Sequence, residues 1–244
     1  MELIEIRHLT KNYGENRALN DLNLIINDGE IFGLIGHNGA GKSTTIKTLV
    51  SIIEPTSGEI YIDGLELTKN RIDCKKMIGY VADTPDLFLK LSADEYWDFI
   101  ANAYGITKAE KETRLTALLT LFDLLEKRYD TIESFSHGMR QKVFVVGALI
   151  SNPKIWILDE PMTGLDPQAA YDLKEMMRKH ADAGNSVLFS THVLEVAEKL
   201  CDRIGILKKG ELIYVGSIDE LKEMHPEKTL EMIYLEMAGR QKEE

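Results

Sequence analysis

The apolar and polar positions of the chain change period twice, and the changes mark out three stretches. Over residues 1–35 the period is two. Leu3-Ile4-Glu5-Ile6-Arg7 and Leu22-Asn23-Leu24-Ile25-Ile26 read as half-buried strands, and Asn27-Asp28-Gly29 supplies a turn after the second. Glu30-Ile31-Phe32-Gly33-Leu34-Ile35 is short and almost wholly apolar, the pattern of a strand covered on both faces. Thr44-Thr45-Ile46-Lys47-Thr48-Leu49-Val50 continues as a helix, and two further short strands follow, Gly58–Gly64 and Ile78–Val81.

From about residue 86 to Ile150 the spacing becomes helical. Ser92-Ala93-Asp94-Glu95 and Thr107-Lys108-Ala109-Glu110 both have the spacing of a capping box. Behind the second, Leu115, Leu118, Leu119, Phe122 and Leu125 form one apolar stripe that reads as core. Strand and helix then alternate. Lys154–Leu158 and Ser186–Ser190 are strands, and between them Asp166-Pro167 caps and opens a helix that Gly184-Asn185 closes. Val193–Leu200 reads as a helix, Ile204–Leu207 and Glu211–Val215 as a hairpin around Lys208-Lys209-Gly210, and Ser217-Ile218-Asp219-Glu220 as the start of a last helix. The stretch from His225 is weakly patterned. The expectation is one α/β domain over residues 1–222, with a helical subdomain inserted at about 86–150 and a tail at 223–244.

Composition narrows the possible partners. A length of 244 residues with 44% apolar content can bury a sizeable core. A net charge of −11 argues against a dedicated nucleic-acid surface, which needs a basic footprint. The two cysteines, Cys74 and Cys201, lie far apart without metal-ligand spacing, as in a reduced intracellular chain. The acidic, alternating N-terminus is no signal peptide. The longest apolar run, Val143–Ile150, is far below the roughly 20 residues of a membrane-crossing helix. Any membrane role therefore requires a partner chain.

The sharpest chemical signal lies between the third strand and the first helix. Gly36-His37-Asn38-Gly39-Ala40-Gly41-Lys42-Ser43 has the Gly-x-x-x-x-Gly-Lys-Ser spacing in the strand–loop–helix setting that spacing needs. Its glycines let backbone N–H groups surround a phosphate, and the helix N-terminus adds its dipole. Lys42 then reaches the β- and γ-phosphates and Ser43 offers its hydroxyl to Mg²⁺. A second signal is Asp159-Glu160, two acids at the end of the Ile155–Leu158 strand, where open α/β sheets place ligand chemistry. Asp159 suits Mg²⁺, and Glu160 suits a water aimed at the γ-phosphate.

These motifs and four others, in order and spacing, resemble the ATP-binding subunit of ABC transporters over residues 2–222. Phe135-Ser136-His137-Gly138-Met139 stands in the slot of the family signature Leu-Ser-Gly-Gly-Gln. Gly164-Leu165-Asp166 matches the loop after the acids, Ser190-Thr191-His192 the switch histidine, and Tyr13-Gly14 the aromatic that stacks on adenine. The resemblance implies an α/β P-loop core with an N-terminal antiparallel β-subdomain and an inserted helical subdomain. It implies ATP and Mg²⁺ as ligands, with Gly36, Asn38, Gly39, Ala40, Gly41, Lys42, Ser43 and Thr44 around the phosphates. Asp166 joins the nucleotide contacts, and Lys42, Glu160 and His192 carry hydrolysis.

Ser136 and Gly138 open the helix that runs to Ile150, a second place where a hydroxyl and bare backbone suit an anion. The resemblance implies that they meet the γ-phosphate on an opposite subunit. It also implies a membrane permease on a separate chain, a second ATPase subunit (identical or not), and a place on the cytoplasmic face of the cell membrane.

Two positions depart from the family. Asp83, in Gly79-Tyr80-Val81-Ala82-Asp83-Thr84-Pro85, occupies the slot of a glutamine that touches Mg²⁺ and the lytic water. A shorter, charged side chain there reads equally as a metal contact or as a surface loop acid. His137 and Met139 alter the signature while keeping Ser136 and Gly138, a form that resembles the branch serving small bacterial exporters. Export is the expected direction, supported by a chain that ends soon after its last expected helix. A soluble ABC ATPase acting on ribosomes or DNA is the alternative, disfavoured by the acidic balance and the single cassette. A P-loop GTPase would need the guanine reader Asn-Lys-x-Asp, which is absent.

Overall fold

A long antiparallel hairpin opens the chain, β1 (Glu2–Tyr13) and β2 (Asn16–Asn27), followed by the short buried strand β3 (Ile31–Ile35) and helix α1 (Lys42–Leu49). The computed structural model describes residues 1–83 and 88–239. Strands β4 (Ser57–Ile62) and β5 (Leu65–Glu66) return to the hairpin and complete an antiparallel sheet in the order β2-β1-β4-β5. Helix α2 (Arg71–Lys76) leads to β6 (Ile78–Val81), after which come α3 (Ala93–Ala103), α4 (Lys108–Leu121) and α5 (His137–Ile150). Strand β7 (Ile155–Leu158), α6 (Pro167–Asp182), β8 (Ser186–Thr191) and α7 (Leu194–Leu200) restore the α/β alternation. The hairpin β9 (Arg203–Lys208) and β10 (Glu211–Gly216) precedes α8 (Ile218–Glu223) and α9 (Leu230–Met237). The second sheet runs β10-β9-β3-β8-β7-β6 and is parallel except at β10.

The expected capping boxes form at Ser92, Thr107 and Ser217, with side chain and backbone reciprocally bonded in each. Asp166 caps α6 by accepting from Ala169 N–H at 2.9 Å, and Pro167 opens that helix. The boundary expected near residue 86 falls outside the described residues, as do Thr84 and Pro85. Besides the two-residue β5, three elements escaped the pattern in whole or in part. β1 runs on to Tyr13 through bulges near Leu9 and Lys11 that break the alternation. α2 buries only Cys74, so it leaves no stripe. The weakly patterned stretch after His225 contains α9, which Thr229 caps and which docks through Leu230 and Ile233.

The core sits in three connected places. One cluster, with Ile4, Ile6, Phe32, Leu34 and Ile46, fills the space between the two sheets. Another joins the helical stretch to the parallel sheet through Trp97, Leu119, Val143, Trp156 and Phe189. The third holds α8 and α9 against Ile35, Ala197 and Ile206. Trp97 Nε1 donates to Val143 O at 3.0 Å, fixing α3 to α5, and truncating so large a buried ring costs about 3–5 kcal/mol. Trp156 is buried on β7, and its ring lies 5.8 Å from that of His180.

The helical stretch also encloses an ion network. Lys111, 1% exposed, bonds Asp98 at 2.6 Å and Asp94 at 3.0 Å, and Arg128 bonds Glu112 and Asp94.

Candidate active site

Parallel register brings the carboxyl ends of three strands to one edge. Ile35 pairs with Thr191, and Leu158 with Phe189, so Gly36, Asp159 and His192 follow neighbouring strand ends. The loop after β3 turns through Gly39 (φ 82) and Gly41 (φ 113), a left-handed conformation open chiefly to glycine. At Gly36 the constraint is space, because a Cβ there would lie 2.7 Å from Leu207 O. No side chain caps α1 at Gly41, so its first N–H groups remain available to a ligand.

The loop borders a cavity of about 630 Å³. Asn38, Gly39, Gly41, Lys42, Ser43 and Thr44 line it, together with Tyr13, Asp83 and Glu160. Tyr13 is half exposed, with Lys11 Nζ 5.1 Å from the ring centroid. Lys42 is 5% exposed, and its ammonium donates to Gly36 O at 2.7 Å and His37 O at 3.4 Å. It also lies 3.2 Å from Glu160 Oε1, a buried oxygen with no hydrogen-bond partner among the described residues. Gly36 and Ala40 stand behind the loop and shape it without lining the cavity.

The two acids are held from below. Ser190 on β8 donates its hydroxyl to Asp159 Oδ1 at 2.6 Å and accepts from Glu160 N–H at 2.9 Å. Glu160 has φ 47, an unfavourable conformation for a non-glycine residue and one that clusters at functional sites. Its Oε2 bonds His192 Nδ1 at 2.9 Å, so Lys42, Glu160 and His192 form a continuous row. Asp159 itself is buried. Burial, reinforced by the carboxylates of Asp159 and Asp83, pushes the Tyr80 phenol well above its ordinary range. Asp83 lines the cavity, whereas Asp159 is buried and does not.

Oxygen donors suited to Mg²⁺ are therefore present in the Ser43 hydroxyl and the Asp159 carboxylate. No group of three or more His, Cys, Asp or Glu that could hold a metal occurs among the described residues. A small donor set fits Mg²⁺, which keeps waters and phosphate oxygens as its other ligands.

Ser136, Gly138 and Asp166 lie outside this cavity. Ser136 caps α5 by accepting from Met139 N–H at 3.3 Å. A Cβ on Gly138 would lie 2.5 Å from Gly164 O, so the start of α5 touches the loop that carries Asp166. The Asp166 carboxyl is held below its ordinary range by the Ala169 N–H and then by Lys142, 3.4 Å away. Ser190, quoted in the sequence only as part of a motif, has the most directive position of any residue that reading left without a role. Arg17 and Lys209 also line the cavity; Arg17 carries no sequence signal, and Lys209 is marked only as part of a hairpin turn.

Residues 19–163 match the model of the ABC transporter family. EcsA of Bacillus subtilis (strain 168), an ABC-type transporter ATP-binding protein, is 38% identical over 241 residues, covering 98% of this chain and 97% of EcsA. The linearmycin resistance ATP-binding protein LnrL of the same organism is 35% identical over 219 residues, 90% of this chain and 70% of LnrL. A solved ATP-binding subunit of an ABC transporter superposes with a TM-score of 0.91 at 37% identity, covering 96% of this chain and 99% of that one. A dimeric ATP-binding cassette in a post-hydrolysis state, bound to ADP and Pi, gives 0.80 at 27% identity over 88% and 99%.

Proposed function

The chain belongs to the ABC transporter family as an ATP-binding, ATP-hydrolysing subunit, and on that premise we propose which residues carry hydrolysis and which direction of transport it drives. The observation that carries the reading is the row Lys42–Glu160–His192, whose first two members line a cavity walled by the phosphate loop and Tyr13. Tyr13 stacks on the adenine. The N–H groups of Asn38, Gly39, Gly41, Lys42, Ser43 and Thr44 cradle the phosphates, with Gly36 and Ala40, whose N–H is spent on His37 O, shaping the loop. Lys42 neutralises charge on the β- and γ-phosphates, and Ser43 with Asp159 holds Mg²⁺, with Asp83 close by. When bound, Mg²⁺ draws off charge that develops on the transferred phosphoryl group.

Glu160 orients the attacking water, and His192 steadies Glu160 while reaching toward the γ-phosphate. Ser190 fixes both acids. Catalysis is then positioning and charge neutralisation, as phosphoryl transfer requires. Ser136, Gly138 and Asp166 serve the nucleotide of a second ATPase subunit, so two subunits enclose two nucleotides head to tail.

No helix of the described residues is long and apolar enough to cross a membrane, which suits attachment to a permease on a separate chain at the cytoplasmic face. Export is supported by the Phe-Ser-His-Gly-Met signature and by the resistance function in the name of LnrL. Replacing Glu160 by Gln tests the reading. Steady-state hydrolysis should fall by about 100-fold or more while Mg-ATP binding persists and dimer accumulates in size-exclusion chromatography. Hydrolysis at the parental rate removes Glu160 from this role.

A further inference from the structure

Three segments far apart in sequence meet beside the phosphate loop. Asn20 N–H donates to Gly210 O at 2.9 Å, and Gly210 N–H donates to Ala40 O at 2.8 Å. Contact is backbone on backbone. A Cβ on Gly210 would lie 2.6 Å from Ala18 O, and one on Gly41 2.9 Å from the same oxygen. The start of β2, the β9–β10 turn and the phosphate loop therefore hold fixed positions relative to one another.

Each outer segment delivers a cation to the cavity. Arg17 comes from β2 and Lys209 from the turn, both exposed and both on the cavity wall with Lys42. Lys209 (φ 48) and Gly210 (φ 83) form a turn with two left-handed residues, a shape that favours Asn, Asp or Gly where the lysine stands. Arg17 Nη1 donates to Asn20 Oδ1 at 2.9 Å, and Asn20 Nδ2 donates to Glu211, the residue after the turn. One asparagine thus ties both segments together. In a chain of net charge −11, these two cations line the cavity that also holds Lys42.

Their place along the cavity defines what they meet. Asn12 pairs with Arg17 and Tyr13 with Asn16, so Arg17 lies one step along the hairpin from the Tyr13 pair, and both residues line the same cavity. Lys42 and Ser43 stand on the phosphate-loop side. Between a base stacked on Tyr13 and phosphates held by Lys42 lies the α-phosphate end of the chain. We propose that Arg17 and Lys209 form an outer cation pair that binds the nucleotide at its α-phosphate, with Asn20 as the positioning residue. This rests on reading the cavity as the ATP site. The pair contributes affinity common to ATP and ADP, since both carry that phosphate, and Lys42 contributes on the terminal side.

Calorimetric titration of the full chain with Mg-ATP and with Mg-ADP tests this, using Arg17→Ala, Lys209→Ala, the double variant, the charge-conserving Arg17→Lys/Lys209→Arg pair and Lys42→Ala. At low salt each single variant should weaken both nucleotides about 3-fold and the double variant about 10-fold. The double variant should also show a shallower dependence of Kd on salt, because two screened contacts are gone. The charge-conserving pair should bind as the parent does. Parental affinities and salt dependence in the double variant, while Lys42→Ala abolishes binding, overturn the cation pair and leave the site intact. Weakening confined to ATP also overturns it, since the cations would then meet the γ-phosphate. Parental binding in Lys42→Ala overturns the reading of the cavity itself.

Discussion

Two helices of this molecule begin with backbone N–H groups where an anion is expected, and the two beginnings are built differently. At α1 the cap is Gly41 in a left-handed conformation with no side-chain bond, and the adjoining cavity already contains Lys42, Glu160 and Tyr13. At α5 the cap is an extended Ser136 whose hydroxyl is engaged by Met139 N–H, and neither it nor Gly138 lines that cavity. The first site has walls, a buried cation and acids on a single chain. The second has a hydroxyl, a bare glycine and a neighbouring loop, apart from that cavity. On the reading proposed above, the two starts serve different nucleotides, so loss of the second should spare nucleotide binding by the isolated subunit.

Mutations at the two helix starts should therefore separate binding from turnover. The largest effect is expected at Lys42→Ala, which removes the buried ammonium facing the phosphates. A lost charge-assisted contact of roughly 3 kcal/mol corresponds to more than about 100-fold in Mg-ATP affinity, readable by calorimetry. Gly138→Val strikes the other helix. Its side chain meets the Gly164 carbonyl at the 2.5 Å Cβ position, an overpacking cost of about 1–3 kcal/mol that displaces the start of α5. Steady-state hydrolysis should drop about 10-fold or more, with Mg-ATP affinity of the isolated subunit preserved. A matching loss of affinity would merge the two sites that the geometry separates.

Ser190→Ala probes the support under the acids. It deprives buried Asp159 of a 2.6 Å donor and Glu160 N–H of its acceptor. A loss of about 1–3 kcal/mol in urea unfolding is expected, with a kcat decrease larger than any change in Kd. Glu112→Gln, remote from both helix starts, should have the smallest effect. The Arg128 guanidinium holds the Glu112 carboxyl down to about 2. A depressed carboxylate stabilises the fold above its ordinary range near 4.5 and loses that contribution as pH falls toward 2. Because the pair is partly open to water, the difference from the parent should be about 0.5 kcal/mol at neutral pH and vanish over that interval. Melting temperatures across pH measure it, and nucleotide affinity should stay as in the parent.

What the sequence disclosed follows the range of the forces involved. The phosphate loop, the three capping boxes and the Asp166-Pro167 start depend on residues within one turn of each other, and each formed where the spacing indicated. The role of Ser190 depends on β7 pairing with β8 in one register, which no local pattern encodes. Arg17 and Lys209 lie almost two hundred positions apart and line one cavity because two glycines admit close backbone contact between their segments. β1 was legible up to its bulges, where the alternation stops being a guide. Helices α2 and α9 bury one and two residues respectively, too few to form a stripe.

The two tryptophans give the molecule a built-in optical label for its parts. Trp97 sits in the helical stretch with its indole N–H bonded to Val143 O, whereas Trp156 lies on β7, three residues before Asp159, with an N–H that has no partner among the described residues. Both rings are shielded from water, so folded protein should emit at short wavelength and shift to the red on denaturation. Their unlike indole environments should give distinguishable spectra. With Trp97→Phe or Trp156→Phe, emission comes from one region alone, so melting of the helical subdomain can be followed apart from that of the strand that carries the acids.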